Sequence, residues 1–194
     1  MMIVFLKLPI VLKRRREVLK EKPIIFSTAM VKAIIAGTKS QTRRIIKTNL
    51  EIETDKNDKN YFYVQDEYGD GHKLLEYCPY KIGQILWVRE TYTDTLGDDI
   101  IYKAGWDGDK EPKWKPGIFM PRTIARVFLK LTNIRIERVQ DITEKDVYAE
   151  GIPKNSLSFK NSFIYLWNSI NLKRGYGWEI NPFVWVYDFK KVKM

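Results

Sequence analysis

The chain has 194 residues and a net charge of +10, enough for one domain with a real core and biased toward a polyanionic partner. Cys78 is its only cysteine and His72 its only histidine, which excludes an internal disulfide, any zinc centre built on His/Cys/Cys or three cysteines, and ribonuclease chemistry that needs paired histidines. A single unpaired cysteine fits a reducing, cytoplasmic setting, and with no compact carboxylate cluster to suggest Mg²⁺ the chain is expected to need neither metal nor cofactor.

Residues 1–22 carry seven basic side chains against Glu17 and Glu21, so half of the net charge sits there. The opening apolar run is short and broken by Lys7 and Pro9, and its positive charges follow it, so it is neither a signal peptide nor a membrane span. The stretch reads as a basic appendage or as translation from an upstream start. Residues 23–194 then form the domain, and a chain that begins near Lys22 is expected to fold.

Ile24 to Phe26 reads as a strand, and Ser27 or Thr28 caps a helix that runs to Ala36 and stops at Gly37. The polar run Lys39 to Arg44 leads into a strand at Ile45-Ile46. Residues 49–60 are polar and charged and read as an insertion loop. Tyr61 to Gln65 reads as a hairpin strand, and Gly69 to Gly71 as a turn that places His72 in a solvated loop. Ile85 to Glu90 and Ile100 to Ala104 are strands, and Glu111 to Pro121 an ordered loop.

Arg126 to Val139 alternates in period two except near Asn133, which predicts one long bent strand or a hairpin. A short helix follows Asp141-Ile142-Thr143-Glu144 and ends at Glu150, stopped by Gly151. Phe163, Leu166, Trp167 and Ile170 mark one face of a helix over 159–170, and Phe183 to Val192 is the last strand. Many short strands with few helices favour a small mixed α+β barrel. Of the tryptophans, Trp87, Trp167 and Trp185 lie in regular elements and read as core. Trp114, in a lysine-flanked loop with Arg122 nearby, is the best base-stacking candidate.

Pro23 to Arg44, with its Lys39-Ser40-Gln41-Thr42-Arg43-Arg44 run, resembles the opening of ASCH domains, particularly those of phage and prophage genomes. Gly83 to Glu90, Trp114-Lys115-Pro116, Met120-Pro121-Arg122, Asp141 to Ile152 and Trp167 to Val186 extend the resemblance over nearly everything from residue 23 onward. It implies a PUA-like β-barrel with flanking helices, a ligand cleft beside the first helix, and RNA or a modified nucleoside as partner. One branch of that family removes the acetyl group from N4-acetylcytidine. Its functional lysine, threonine and glutamate match Lys39, Thr42 and Glu150, and its arginine matches Arg44. A ribonuclease-like branch and a non-catalytic RNA or nucleoside reader are the alternative functions.

Hydrolysis of an exocyclic amide needs a nucleophile, a base and an acid for the departing amine. Thr42 is the candidate nucleophile, a neutral Lys39 its base, and Glu150 the acid. Arg43 and Arg44 supply the cationic surroundings that favour a neutral lysine, or else contact phosphate alongside Trp114 and Arg122. In an extended strand Lys39 and Thr42 point to opposite faces, so they converge only if residues 39–42 turn. Neither reads as a core residue, so alanine at either is expected to leave the fold intact.

Overall fold

The computed structural model describes residues 19–48, 51–55, 58, 61–65, 71–94, 99–153 and 158–194. The fold is mixed α+β. β1 (Lys22–Ile25) leads into α1 (Thr28–Ile35), which Ser27 caps by accepting a hydrogen bond from the Met30 amide. Gly37, at φ +77°, ends that helix in the left-handed region that favours glycine and turns the chain toward β2 (Gln41–Ile45).

Next come β3 (Ile52–Thr54), β4 (Phe62–Gln65) and β5 (Gly71–Lys73), which pair antiparallel as a small sheet of their own. Two expectations change here. Ile52 to Thr54 forms a strand inside the stretch read as a loop, because Ile52 falls opposite Val64 and gains a partner for its apolar side chain. His72 likewise sits in β5 opposite Val64 with its ring edge-on to Tyr77, rather than in a solvated turn. Residues 66–70, which hold the expected glycine turn, lie outside the described residues.

β6 (Ile85–Arg89) is followed by the short hairpin of β7 (Tyr92–Asp94) and β8 (Ile100–Tyr102). β9 (Phe128–Arg138) is one continuous strand, and its bend has a cause: Asn133 pairs with Asp188 and Leu131 with Phe189, so Thr132 is an extra residue that kinks the ladder. α2 (Glu144–Ala149) and α3 (Phe159–Asn171) precede the final strand, β10 (Phe183–Val192).

The main sheet runs in the order β1-β6-β9-β10-β2. No backbone ladder joins its outer strands among the described residues, yet they meet at a seam: the Arg44 guanidinium of β2 donates to the Ile25 carbonyl of β1 at 2.6 Å. The sheet is open, and this side chain links its two edge strands. Both faces are covered. Trp185 and Tyr187 of β10 pack with Val31 and Ile34 of α1, whereas Val184 and Val186 pack with Val147 of α2 and Phe163 and Trp167 of α3. This two-sided burial explains why β10 reads as a nearly unbroken apolar run. Trp87, Trp167 and Trp185 are all buried, as their placement in regular elements predicts.

The boundary near residue 22 is not sharp. Gln84 donates to the Lys20 carbonyl at 2.7 Å, Glu21 pairs with Arg122, and Lys22 stands opposite Leu86 in β1. A chain beginning at Pro23 is therefore expected to melt about 2–8 °C below one beginning at Leu19, the loss of one or two such contacts in a domain this size. Thermal unfolding followed by circular dichroism checks it; equal melting temperatures would show that residues 19–22 add nothing.

Candidate active site

Two left-handed glycines place the site. After Gly37 the chain turns so that Lys39 forms an isolated antiparallel bridge with Glu150, and the Ser40 amide donates to the Ala149 carbonyl at 2.8 Å. Gly151, at φ +91°, follows Glu150, and a Cβ there would lie 3.0 Å from the Cβ atoms of Ala33 and Lys39. The C-terminal end of α2 can press against Lys39 only because residue 151 has no side chain.

At this junction the Lys39 ammonium donates to the Glu150 carboxylate at 2.7 Å and to the Glu150 carbonyl at 2.8 Å. Both residues are buried, Lys39 at 3% exposure and Glu150 at 5%. Burial pushes the Lys39 pKa below its ordinary value; Glu150 opposes that shift, and the nearby Arg44 and Arg43 charges reinforce it. Desolvation therefore favours the neutral amine, and the cationic neighbourhood expected of Arg43 and Arg44 is present.

Thr42 lines a cavity of about 250 Å³ together with Glu150, Arg43 and Arg44. Among the described residues none is hydrogen-bonded to the Thr42 hydroxyl. Lys39 lies outside the lining, held to the cavity by its bonds to Glu150. The conflict between positions 39 and 42 is thus relieved in part by geometry: β2 starts only at Gln41, and Lys39 belongs to the turn before it. Thr42 at 2% exposure and Lys39 are both interior residues, so the expectation that alanine at either leaves the fold untouched does not stand for Lys39, whose ion pair is buried.

Arg43 is committed elsewhere than to a phosphate. Its side chain is buried and reaches Glu137 at 2.8 Å, Glu150 at 3.3 Å and Asp146 at 3.4 Å. Its Nε is buried with no partner. The carboxylates belong to a wider network in which Arg135 bonds Glu137, Asp146 and Asp188, and Gln41 bonds Asp146 and Asp188. Burial alone would raise the Asp146 pKa, but hydrogen bonds from Thr143 and Gln41 and the Arg43 charge bring it to about 2. Gln41, Arg135, Glu137, Asp146 and Asp188 carry no local signal in the sequence, because they come together only across β2, β9, β10 and α2.

The far wall of the cavity is α3, through Phe163, Leu166, Trp167, Ile170 and Asn171, with Arg174 from the turn that follows it. Its apolar face reads in sequence as pure core, and only part of it is. Trp114 and Arg122 do not line this cavity. Trp114 donates its indole N–H to Glu111 and stands edge-on to Trp106, and Arg122 lies over Phe128 while paired with Glu21. Among the described residues no three His, Cys, Asp or Glu side chains group as metal ligands, and no helix is long and apolar enough to cross a membrane.

No protein-family model and no curated protein matches the chain. Its fold is similar to that of an ASCH domain from Lactobacillus crispatus JV V101, at 11% identity and a TM-score of 0.44 over 88% of this chain and 79% of that one. It is also similar to the protein EF3133 from Enterococcus faecalis V583, at 10% identity and a TM-score of 0.46 over 91% and 82% of the two chains. Both likenesses concern the fold, and the functional reading rests on the residues of the site.

Proposed function

We propose that the protein is a metal-independent amidohydrolase that removes an acyl group from the exocyclic amine of a cytidine, with an N4-acetylcytidine-like nucleoside as substrate. The observation that carries this reading is the buried Lys39, whose neutral form is favoured by desolvation beside a cavity that holds an unengaged threonine hydroxyl and a carboxylate. A neutral lysine has two N–H groups and one lone pair. The carbonyl and carboxylate of Glu150 take up the two N–H groups, which leaves the lone pair for a proton.

In this scheme Lys39 accepts the Thr42 proton as Oγ1 bonds to the acyl carbon, and the tetrahedral oxyanion forms. Collapse breaks the C–N bond, and the amine leaves with the proton that Lys39 took from Thr42, relayed through the Glu150 carboxylate that Lys39 contacts. Lys39, neutral again, takes a proton from water as the water oxygen bonds to the acyl carbon; collapse breaks the bond to Oγ1, the proton returns to Thr42, and the carboxylic acid leaves. Arg43, which also lines the cavity, holds Glu150 from its other side. The cavity lies at the small end of ligand sites, which suits a single base better than a duplex.

A non-catalytic nucleoside reader is the second reading, favoured by the three cations Arg44, Lys47 and Arg174 at the cavity wall. Incubating the protein with a panel of modified nucleosides and following products by mass separates the two. The proposal expects cytidine and acetate from N4-acetylcytidine, undiminished by a chelator. Binding of the panel without turnover of any acylated pyrimidine would overturn it in favour of the reader.

A further inference from the structure

The proposed site has a neighbour. On the other side of Arg44 a cleft of about 560 Å³ opens along the seam between β1 and β2. Arg44, Ile45 and Lys47 line both this cleft and the candidate active-site cavity, so the two are joined along one stretch of chain. The seam cleft is chemically distinct from its neighbour. Three cations line it, Arg44, Lys47 and Arg89, with no carboxylate among its lining residues. None of the three forms an ion pair among the described residues, whereas Lys39, Arg43, Lys103, Lys115, Arg122, Arg126 and Arg135 all do.

Arg89 is the most informative of the three. Its guanidinium is stacked over Trp87 at 4.8 Å, and its Nε is buried without a hydrogen-bond partner. A buried donor left unmade costs free energy, and an anion in the cleft is the kind of partner that would satisfy it. Tyr77 and Tyr80 stand at the same cleft, Tyr77 with 57% of its surface exposed, although large aromatic side chains usually seek cover. Exposed aromatic faces beside unpaired cations suit a base next to a phosphate.

We infer that the seam cleft is a phosphate subsite, and that the substrate enters as a phosphate ester of the nucleoside rather than as the free nucleoside. Its base occupies the α3-walled cavity, its phosphate lies against Lys47 and Arg89, and a flanking base, where there is one, stacks on Tyr77. The inference rests on the nucleoside reading of the first cavity, and binding experiments can break either independently.

The test compares cytidine, cytidine 5′-monophosphate, ribose 5-phosphate and a short single-stranded oligoribonucleotide with a central cytidine, by calorimetry at low and moderate salt. The monophosphate is expected to bind about tenfold tighter than cytidine at low salt, the scale of charge-assisted hydrogen bonds to a phosphate, and to lose most of that gain as salt rises. Arg89→Gln should cut the monophosphate-to-cytidine ratio to about threefold or less, and Arg89→Lys should restore part of it. Using the ratio keeps the result readable if either variant is less stable.

If the monophosphate binds no better than cytidine, or its advantage survives Arg89→Gln, the subsite is refuted and the nucleoside reading stands. If ribose 5-phosphate binds in an Arg89-dependent way and cytidine does not, the subsite stands and the nucleoside reading falls. The oligonucleotide identifies the source of the phosphate. Further affinity that Tyr77→Ala removes marks a residue within a strand, and affinity equal to the monophosphate marks a free nucleotide.

Discussion

Replacing Thr42 with alanine is expected to lower hydrolysis of the acylated cytidine by at least about a thousandfold, the scale of losing a nucleophile from a working triad. The variant should fold. The Thr42 hydroxyl has no partner among the described residues, so its removal costs little beyond a small buried volume, about 1 kcal/mol. Thr42→Ser keeps the hydroxyl and should keep measurable turnover. Lys39→Ala should be as damaging as Thr42→Ala, and the double variant scarcely worse than either single one, because a base without its nucleophile does nothing. Glu150→Gln keeps the shape and an acceptor for Lys39 but cannot relay a proton from Lys39 to the amine. Steady-state kinetics on the five variants, with folding confirmed by circular dichroism, decides the matter. Additive losses would show that the residues do not act as a unit.

Glu150→Ala carries the largest expected cost in stability, about 3–5 kcal/mol, because it strands Lys39 in the interior with a backbone carbonyl as its one remaining hydrogen-bond acceptor. In a domain of this size that is a fall of about 6–20 °C in melting temperature. Lys39→Ala should cost less, since Arg43 remains 3.3 Å from the abandoned carboxylate. The asymmetry is the useful observation: equal losses would mean that Arg43 does not support Glu150. Protonation acts with a definite sign. Burial lowers the Lys39 pKa in the folded chain, so between that value and the ordinary 10.5 the unfolded chain holds a proton that the folded chain has shed. Stability from this group therefore rises with pH across that window, and the charged form is the one that the fold penalises.

Much of this architecture is legible in local sequence because local chemistry dictates it. Ser27 caps α1, Thr143 caps α2, and Gly37 and Gly151 end them, each through hydrogen bonds or backbone freedom that involve only near neighbours. The period-two pattern of β9 and its interruption near Asn133 likewise predict a bent strand, which the extra residue Thr132 supplies. What local chemistry does not reveal is partnership across the chain. Ile52 to Thr54 has too few apolar residues to read as a strand until Val64 stands opposite Ile52.

The same limit divides the site. Lys39, Thr42 and Glu150 stand out through a motif resemblance, but their burial does not, because a lysine and a glutamate read as surface residues until they meet each other 111 positions apart. Arg43 reads as a phosphate ligand because its carboxylate partners lie on β9 and α2. The α3 wall reads as core because an apolar face looks the same whether it meets a sheet or a cavity.

Lys39, buried and readily neutralised, is the base, and the dependence of kcat/KM on pH measures that state directly. The neutral amine is the active form, so the rate is expected to rise with pH through a single ionisation below the ordinary lysine value of 10.5 and then level off. The residual activity of Lys39→Ala should lack that rise. A wild-type profile that climbs only near 10.5, or a Lys39→Ala profile that keeps the same rise, would contradict the assignment of Lys39 as the base.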